Sequence, residues 1–186
     1  TLVPMTDGPF YPPRAWREAW PDWDADLSRV QGDGGVRNAL GEHLGLALQL
    51  VDAQGRAIDG AEVEIWQCDA LAAYRHPGVR RSDRAFDRGF QGFGATRSDA
   101  AGALRFRSIR PVPYPGRTPH IHLKLRHAAL GEVSSQLFVA GDPGNARDVL
   151  FRQLDAEGQA AMSLQLVPAP ADSGLRWMAR HTLVLG

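Results

Sequence analysis

Residues 43–51 read HLGLALQLV, with a leucine at every second position from Leu44 to Leu50. Side chains that alternate in this way point to opposite faces of a β-strand, so one face is apolar and can be buried. The same alternation, or a short apolar run, recurs in six further segments: 61–67, 104–106, 121–125, 133–139, 161–167 and 177–185. Seven short strands, divided by segments rich in glycine and proline, predict an all-β fold, an antiparallel two-sheet β-sandwich.

Two segments interrupt this rhythm of strands. Residues 1–40 show no sustained alternation and are expected to form an irregular N-terminal arm against a sandwich built from residues 41–186, with 1–186 as one domain. Residues 68–102 are predicted to form a long connection between two strands. Loops of that length inside a compact domain are usually functional, so we expect this one to contribute to an active site.

Charge and composition exclude some partners. Lys and Arg together number 21, as do Asp and Glu, so the formal net charge is zero and binding to nucleic acid is not expected. No apolar run approaches the roughly 20 residues of a membrane-spanning helix, so no membrane partner is expected either. Cys68 is the only cysteine, which rules out a disulfide within the chain and leaves the cellular compartment open.

The segment 119–125, PHIHLKL, carries the strongest local signal for chemistry. On a strand, His120 and His122 project to the same face while the apolar residues between and after them enter the core. Two imidazoles on one rigid face can bind a metal ion, because neutral histidine is a common ligand for zinc, copper, iron and nickel. Taken alone, the pattern fits two surface histidines equally well.

Two tyrosines lie in the loops around these histidines. Tyr114 belongs to the proline-rich segment 111–117, PVPYPGR, together with Arg117, and Tyr74 lies in the long connection. A phenolate is a hard, anionic oxygen donor that suits a ferric ion. Two phenolates with two neutral imidazoles would neutralise two of its three charges, and a hydroxide could balance the third. The donor set therefore favours Fe(III) without identifying it.

Five ordered motifs resemble those of the intradiol ring-cleavage dioxygenases. The segments are 6–11 (TDGPFY), 66–76 (WQCDALAAYRH), 90–111, 114–122 (YPGRTPHIH) and 135–138 (SQLF). The similarity covers residues 5 to 145 in unbroken order, and 114–122 matches the most specific signature of the family.

The resemblance implies a non-haem ferric site inside a β-sandwich, held by Tyr74, Tyr114, His120 and His122. It also implies a reaction in which both atoms of O2 enter a catechol, which is cleaved between its two hydroxyl-bearing carbons to give a cis,cis-muconate. Tyr74 and His120 would be equatorial ligands, whereas Tyr114 and His122 would be axial.

The resemblance further implies roles in catalysis. Tyr114 would detach from the metal as the substrate chelates it, and its phenolate could take a proton from the catechol. Arg117 would stabilise the charge that develops on the ring, and Gln136 would orient the substrate.

Departures from the family pattern leave some properties open. The chain resembles the short, single-domain bacterial members or the iron-bearing subunit of protocatechuate dioxygenases, because it shows neither a helical N-terminal region nor the insertion that many relatives carry between the second ligand tyrosine and the arginine. Gly116 stands where protocatechuate enzymes often have a tryptophan, so the favoured catechol is not predicted. Family members are commonly oligomeric, and a homo-oligomer is an expectation here on that basis alone.

Two alternatives remain at this point. A divalent-metal hydrolase could use His120 and His122 with a carboxylate, for which Asp69 is the only acid in the two ligand segments 66–76 and 111–117. A catalytically inactive subunit or binding module is the other alternative, since residues 51–61 also resemble transthyretin-like domains. Tyr11 could either line the pocket or cap the sandwich. His76 is a candidate for contact with a metal ligand and not for binding the metal itself.

Overall fold

The computed structural model describes residues 1–19, 23–79 and 85–186 of the chain. Its strands run in the order β1 (Arg29–Gly32), β2 (Gly35–Asn38), β3 (His43–Asp52), β4 (Glu62–Trp66), β5 (Phe93–Arg97), β6 (Ala103–Ile109), β7 (His120–His127), β8 (Gly131–Val139), β9 (Ser163–Leu164), β10 (Val167–Pro168) and β11 (Trp177–Leu185). Short helices are α1 (Arg14–Glu18), α2 (Val149–Arg152) and α3 (Ala156–Ala161), with a 3-10 helix at Pro143–Arg147. None of the described helices is long and apolar enough to cross a membrane.

Two sheets make up the sandwich. One has the strand order β10-β11-β3-β6, and the other has the order β5-β4-β7-β8-β9. The alternating leucines Leu44 to Leu50 point between the sheets and are almost fully buried, where they join Ile65, Ile121 and Leu123 of the second sheet in one core cluster. The predicted all-β sandwich is therefore confirmed. Burial of apolar side chains between the two sheets is its main stabilising contribution.

The pairing of the strands departs from a purely antiparallel arrangement. Among the described strands, β11 lies parallel to β3 along its whole length, and β8 lies parallel to β9. Seven of the described strands, β4 to β10, separate β3 from β11 along the chain, so these two neighbours are not joined by a tight hairpin. Strand direction depends on such connections, which the alternation of side chains does not encode.

Two local predictions were wrong. The continuous strand expected at 161–167 is instead the end of α3 followed by the two-residue strands β9 and β10, although Met162 and Leu164 are fully buried. Residues 68–102 are not one long loop, because β5 lies within them and pairs with β4. Gly94 of β5 passes close to the backbone oxygen of Asp24, so the strand lacks a side chain there and shows no clear alternation.

The N-terminal arm contains more regular structure than expected. It includes α1 and the two-stranded sheet of β1 and β2, and residues 24–27 run beside β6 through the backbone contacts of Ala25 and Leu27 with Arg107. Nearer the N-terminus, the arm crosses the second sheet, where the amide of Met5 donates to the carbonyl of Ser134 on β8. This crossing brings residues 6–11 over β7, the strand that carries the two candidate histidines.

Candidate metal centre

The central strand β7 presents two histidines toward the overlying loops. His120 pairs with Phe138 of β8, while His122 lies between Gln136 of β8 and Trp66 of β4. Both imidazoles are buried, with 1% and 2% of their surface exposed. Strand periodicity gives them a common face, and their ring centroids lie 4.9 Å apart.

Two tyrosines meet these histidines from separate loops. The phenol oxygen of Tyr74 lies 3.4 Å from His120 Nε2 and 3.2 Å from His122 Nε2. The phenol oxygen of Tyr114 lies 3.2 Å from His120 Nε2 and 3.4 Å from the oxygen of Tyr74. Two phenol oxygens and two imidazole nitrogens therefore converge on one small region, as a metal centre requires.

The ring of His120 is oriented by a hydrogen bond on its far side. Its Nδ1 lies 2.7 Å from the carbonyl oxygen of Thr118, so the proton is expected on Nδ1 and the lone pair of Nε2 faces the tyrosines. Burial, followed by the positive charge of Arg117, lowers the pKa of His120 to about 4. The imidazole is thus neutral near pH 7, which is the form that binds metals.

The ring of His122 is held in a different way. Its Nδ1 is buried without a hydrogen-bond partner among the described residues, and its ring instead stacks on the indole of Trp66. Burial, followed by the charges of His120 and Arg117, lowers its pKa well below the usual value. Packing rather than hydrogen bonding therefore aims His122 Nε2 at the centre.

The two tyrosines differ in their surroundings. Tyr74 is buried, and its ring stacks on Phe10 of the N-terminal arm with centroids 4.4 Å apart. Burial, followed by proximity to Tyr114, raises the pKa of Tyr74. Tyr114 lies on a half-exposed loop between prolines. A buried phenol with a raised pKa needs a nearby cation to ionise, so this donor set fits a bound cation of high charge.

Two further polar side chains flank the four donors. Arg117 lies with its Nη1 3.3 Å from His120 Nε2, and its Nη2 donates to Gln136 Oε1 at 2.5 Å. The amide nitrogen of Gln136 donates in turn to the carbonyl of Thr6 at 3.1 Å. The structure thus brings together all six residues singled out in the sequence: Tyr74, Tyr114, Arg117, His120, His122 and Gln136.

The donor set does not match the hydrolase alternative. Within the described ranges, no group of three or more His, Cys, Asp or Glu residues is placed to hold a metal ion. The carboxylate of Asp69 accepts hydrogen bonds from the amides of Leu71, Ala73 and Asp87, so it serves the local turn. Among the residues that the structure describes, the two histidines therefore have phenol partners and no carboxylate partner.

Tyr11 and His76 take positions outside the four donors. The hydroxyl of Tyr11 donates to Glu64 at 2.6 Å, and its ring packs edge-on against Trp66. Burial, followed by the hydrogen bond to Glu64, raises the pKa of Tyr11 to about 12. His76 accepts a hydrogen bond from the amide of Gly78 and packs against Phe10, and its pKa is lowered by burial. Tyr11 thus supports Trp66, which stacks on His122, and His76 supports Phe10, which stacks on Tyr74.

Sequence reasoning missed three contributors to this centre. Trp66 lies within a motif, but the sequence does not indicate that its ring stacks on His122. Phe10 likewise lies within a motif that does not indicate its contact with Tyr74, and Asp148, whose carboxylate accepts from Arg117 Nε at 2.8 Å, lies outside every motif. Asp148 lies thirty-one positions after Arg117 along the chain. Contacts across such a separation depend on the tertiary fold.

Comparison with known proteins places these features in a family. The family model described as dioxygenase matches residues 7–169. The beta chain of protocatechuate 3,4-dioxygenase from Burkholderia cepacia is 33% identical over 139 residues, in a match that covers 69% of this chain and 57% of that protein. Hydroxyquinol 1,2-dioxygenase from Corynebacterium glutamicum is 27% identical over 139 residues, covering 63% of this chain and 43% of that protein. This chain therefore spans about half the length of these relatives.

Solved structures share the fold. An intradiol ring-cleavage dioxygenase from Tetranychus urticae matches with a TM-score of 0.72 at 21% identity, covering 100% of this chain and 95% of that one. The dioxygenase domain of a carbohydrate-binding fusion protein from Streptomyces sp. SirexAA-E matches with a TM-score of 0.69 at 24% identity, covering 98% and 96%. Since the family model spans most of the sequence as well, this chain belongs to the intradiol ring-cleavage dioxygenase family.

Proposed function

We propose that this chain is a non-haem Fe(III) dioxygenase that cleaves a catechol-type aromatic between its two hydroxyl-bearing carbons. For catechol itself, one molecule of substrate and one of O2 give one molecule of cis,cis-muconic acid, so both oxygen atoms enter the product and no other reductant is consumed. We further propose that residues 1–186 act as one domain, and that a homo-oligomer is the functional form.

The convergence of four donor atoms carries this proposal. Tyr74, Tyr114, His120 and His122 would hold the iron, since their phenol oxygens and imidazole nitrogens lie 3.2 to 3.4 Å apart in the four close pairs described above. When bound, ferric iron would acidify the two hydroxyls of a chelating catechol and withdraw electron density from them, which activates the ring toward O2.

The two tyrosines would have different tasks. Tyr74 is buried and its ring is fixed against Phe10, so it is suited to remain a permanent ligand. Tyr114 is half-exposed on the loop between Pro113 and Pro115, where its side chain can turn away as substrate enters. Its phenolate oxygen would then accept a proton from one catechol hydroxyl, which makes Tyr114 both a ligand and a base.

Arg117 and Gln136 would act on the substrate. The guanidinium of Arg117 lies beside the donor cluster, so its positive charge can stabilise negative charge that develops on the aromatic ring. Gln136 is fully buried and bonded at both ends of its amide, to Arg117 and to Thr6. A rigid amide at this place would hold the guanidinium and the substrate in fixed positions relative to each other.

The favoured substrate is one of a small class. The similar proteins are named for protocatechuate, hydroxyquinol and catechol, and each of these carries two adjacent hydroxyls on an aromatic ring. We propose a catechol of this kind as substrate without choosing among the three. A panel of all three, with O2 consumption as the readout, would rank them.

The decisive experiment measures iron and visible absorption on the same purified sample. We expect a resting protein coloured by tyrosinate-to-iron charge transfer, and a band that shifts when catechol is added without oxygen. Admission of O2 should then release a muconate-type acid. A protein that stays colourless after ferric reconstitution would contradict the proposal and would favour the alternative of a catalytically inactive, transthyretin-like binding module.

A pair of tyrosine variants assigns the ligands. Tyr74→Phe should lose turnover and the part of the charge-transfer band that comes from Tyr74, leaving only the contribution of Tyr114, while circular dichroism shows an unchanged fold. Tyr11→Phe is the matched control, because the Tyr11 hydroxyl bonds Glu64 and lies away from the donors. If Tyr74→Phe kept both the full band and turnover, the assignment of Tyr74 as a ligand would be wrong.

A further inference from the structure

Asp148 is a buried carboxylate whose two oxygens serve two different elements. Its Oδ1 accepts from the backbone amides of Leu150 and Phe151, both at 3.0 Å, and so caps the start of α2. Its Oδ2 accepts from Arg117 Nε at 2.8 Å and from the amide of Thr118 at 2.9 Å. A helix cap needs only one oxygen, so the second oxygen is free for a separate task.

The contacts of Arg117 show what that task is. Its Nε donates to Asp148 and its Nη2 donates to Gln136, while its Nη1 lies 3.3 Å from His120 Nε2. A guanidinium is planar, so fixing two of its nitrogens fixes the direction of the third. Asp148 and Gln136 thus leave Nη1 as the edge that faces the four donors.

We propose that Asp148 is a positioning residue that holds the Arg117 guanidinium with Nη1 aimed at the metal centre. The inference rests on the proposed function, because it assigns the aimed charge to the catechol that would bind there. The side-chain hydrogen bonds of Asp148 go to Arg117 and to backbone amides rather than to the four donor atoms, so it acts through Arg117. Asp148 lies outside the five sequence motifs described above.

Electrostatics supports this assignment. The side chain of Asp148 has no exposed surface, and that of Arg117 is 18% exposed, so their charges face each other with little screening by water. Burial by itself would raise the pKa of Asp148, but the amides of Phe151 and Thr118 and the guanidinium of Arg117 outweigh it and lower the pKa. The residue is therefore a carboxylate near pH 7, able to balance the charge of Arg117.

The isosteric substitution Asp148→Asn tests the proposal. An amide has one oxygen and one NH2 group, whereas Asp148 accepts hydrogen bonds on both oxygens. In either orientation of the asparagine, its NH2 group therefore faces N–H groups of the protein and cannot accept their hydrogen bonds. We expect kcat/KM for the preferred catechol to fall by about 10- to 100-fold, as is typical when a residue behind an active-site group is removed. The loss should lie mainly in kcat.

A double-substitution cycle separates positioning from general support. In a background of Arg117→Met, which removes the guanidinium, Asp148→Asn should change kcat/KM by less than about 2-fold, because the group through which it acts is gone. Asp148 also bonds the amide of Thr118, whose carbonyl orients His120. If the full loss persisted in the Arg117→Met background, the effect would run through Thr118 and His120, and the proposal would be overturned.

Asp155→Asn is the matched control. Asp155 caps α3 by accepting from the amide of Gly158, and it lies on the exposed surface away from Arg117. This variant should keep wild-type kcat/KM and iron content. An equal loss of activity in Asp155→Asn and Asp148→Asn would show that loosening a helix cap is enough, and would contradict a specific role for Asp148.

A measurement on the metal-free protein does not depend on activity. The Nε–H of Arg117 is hydrogen-bonded to a buried carboxylate, so its side-chain NMR signal should exchange slowly with solvent. We expect at least a 10-fold faster exchange in Asp148→Asn and no change in Asp155→Asn. Equal exchange in all three proteins would refute the positioning role. A wild type that binds no iron yet shows this difference would refute the proposed function and leave the Arg117–Asp148 link intact.

Discussion

The indole of Trp66 stacks on the imidazole of His122 with ring centroids 4.9 Å apart and an interplanar angle of 7°. The far nitrogen of His122, Nδ1, has no hydrogen-bond partner in the described part of the chain. Histidines that bind metals are commonly fixed by a hydrogen bond on the nitrogen that faces away from the metal. His120 has such a hydrogen bond, to the carbonyl of Thr118. His122 therefore depends on an aromatic neighbour for its orientation.

Removing that neighbour should weaken metal binding. We predict that Trp66→Leu lowers the affinity for ferric iron by about 10-fold or more, since an unfixed ring must be ordered when the metal binds. Competition with a chelator of known affinity would measure it. Trp66→Phe is the control, because it keeps an aromatic ring in the stack. Equal losses in both variants would show that volume matters here and stacking does not.

Gly8 gives a second test of contact with His122. Its φ of +68° favours glycine, and a Cβ placed on it would lie 3.4 Å from His122 Cε1. Gly55 has a φ of +77° and no atom within 4 Å of such a Cβ. Alanine at either position should destabilise the fold by about 1 kcal/mol through the same backbone strain. Because 3.4 Å is an ordinary van der Waals distance, the added methyl group should touch His122 without displacing it, and we expect an unshifted iron charge-transfer band in both variants. A shifted band in Gly8→Ala alone would show that His122 lacks this room.

Much of this architecture follows from local pattern. The leucines of β3 and the apolar residues of β7 alternate with period two, which is enough to predict strands, sheet faces and the common face of His120 and His122. The motifs around Tyr74 and Tyr114 then indicated the family. These features are predictable because each is encoded within a few adjacent residues.

Other features depend on contacts between distant segments. The parallel pairing of β11 with β3 leaves no periodic signal in the sequence, because it depends on how the strands are connected. The strand Phe93–Arg97 leaves none either, because close backbone packing at Gly94 replaces a side chain there. The same holds at the candidate centre. Asp148 reaches Arg117 only because the segment after β8 folds back over the ligand loop.

Cys68 provides a test of burial behind the centre. Its thiol lies 3.6 Å from the carbonyl of Val112 and packs in a cluster with Trp66 and Tyr74. Burial, followed by the charge of Asp69, raises the pKa of Cys68 to about 12. At about pH 8.5 an unfolded cysteine is half ionised, so iodoacetamide should modify denatured protein quickly and folded protein hardly at all. Rapid modification of the folded protein would contradict this burial.

The last prediction concerns the anchor of the N-terminal arm. Glu64 on β4 is 2% exposed and accepts from Arg17 at 2.7 Å, from Arg126 at 2.9 Å and from the hydroxyl of Tyr11 at 2.6 Å. Glu64→Gln leaves the largely buried Arg17 beside a neutral amide, whereas Arg126 keeps its ion pairs with Glu62 and Glu132. We expect the free energy of unfolding to fall by about 3 to 5 kcal/mol, which is typical for breaking a buried ion pair.

Glu62, two residues earlier on the same strand, is the matched control. Its side chain is 37% exposed and pairs with Arg97 and Arg126 at 3.2 and 3.6 Å. Glu62→Gln should cost less than about 1 kcal/mol, as water screens exposed pairs. Urea unfolding of both variants measures the difference. Because Tyr11 packs on Trp66, which supports His122, Glu64→Gln should also weaken iron binding in the folded protein. Wild-type iron affinity in that variant would show that the centre does not depend on this anchor.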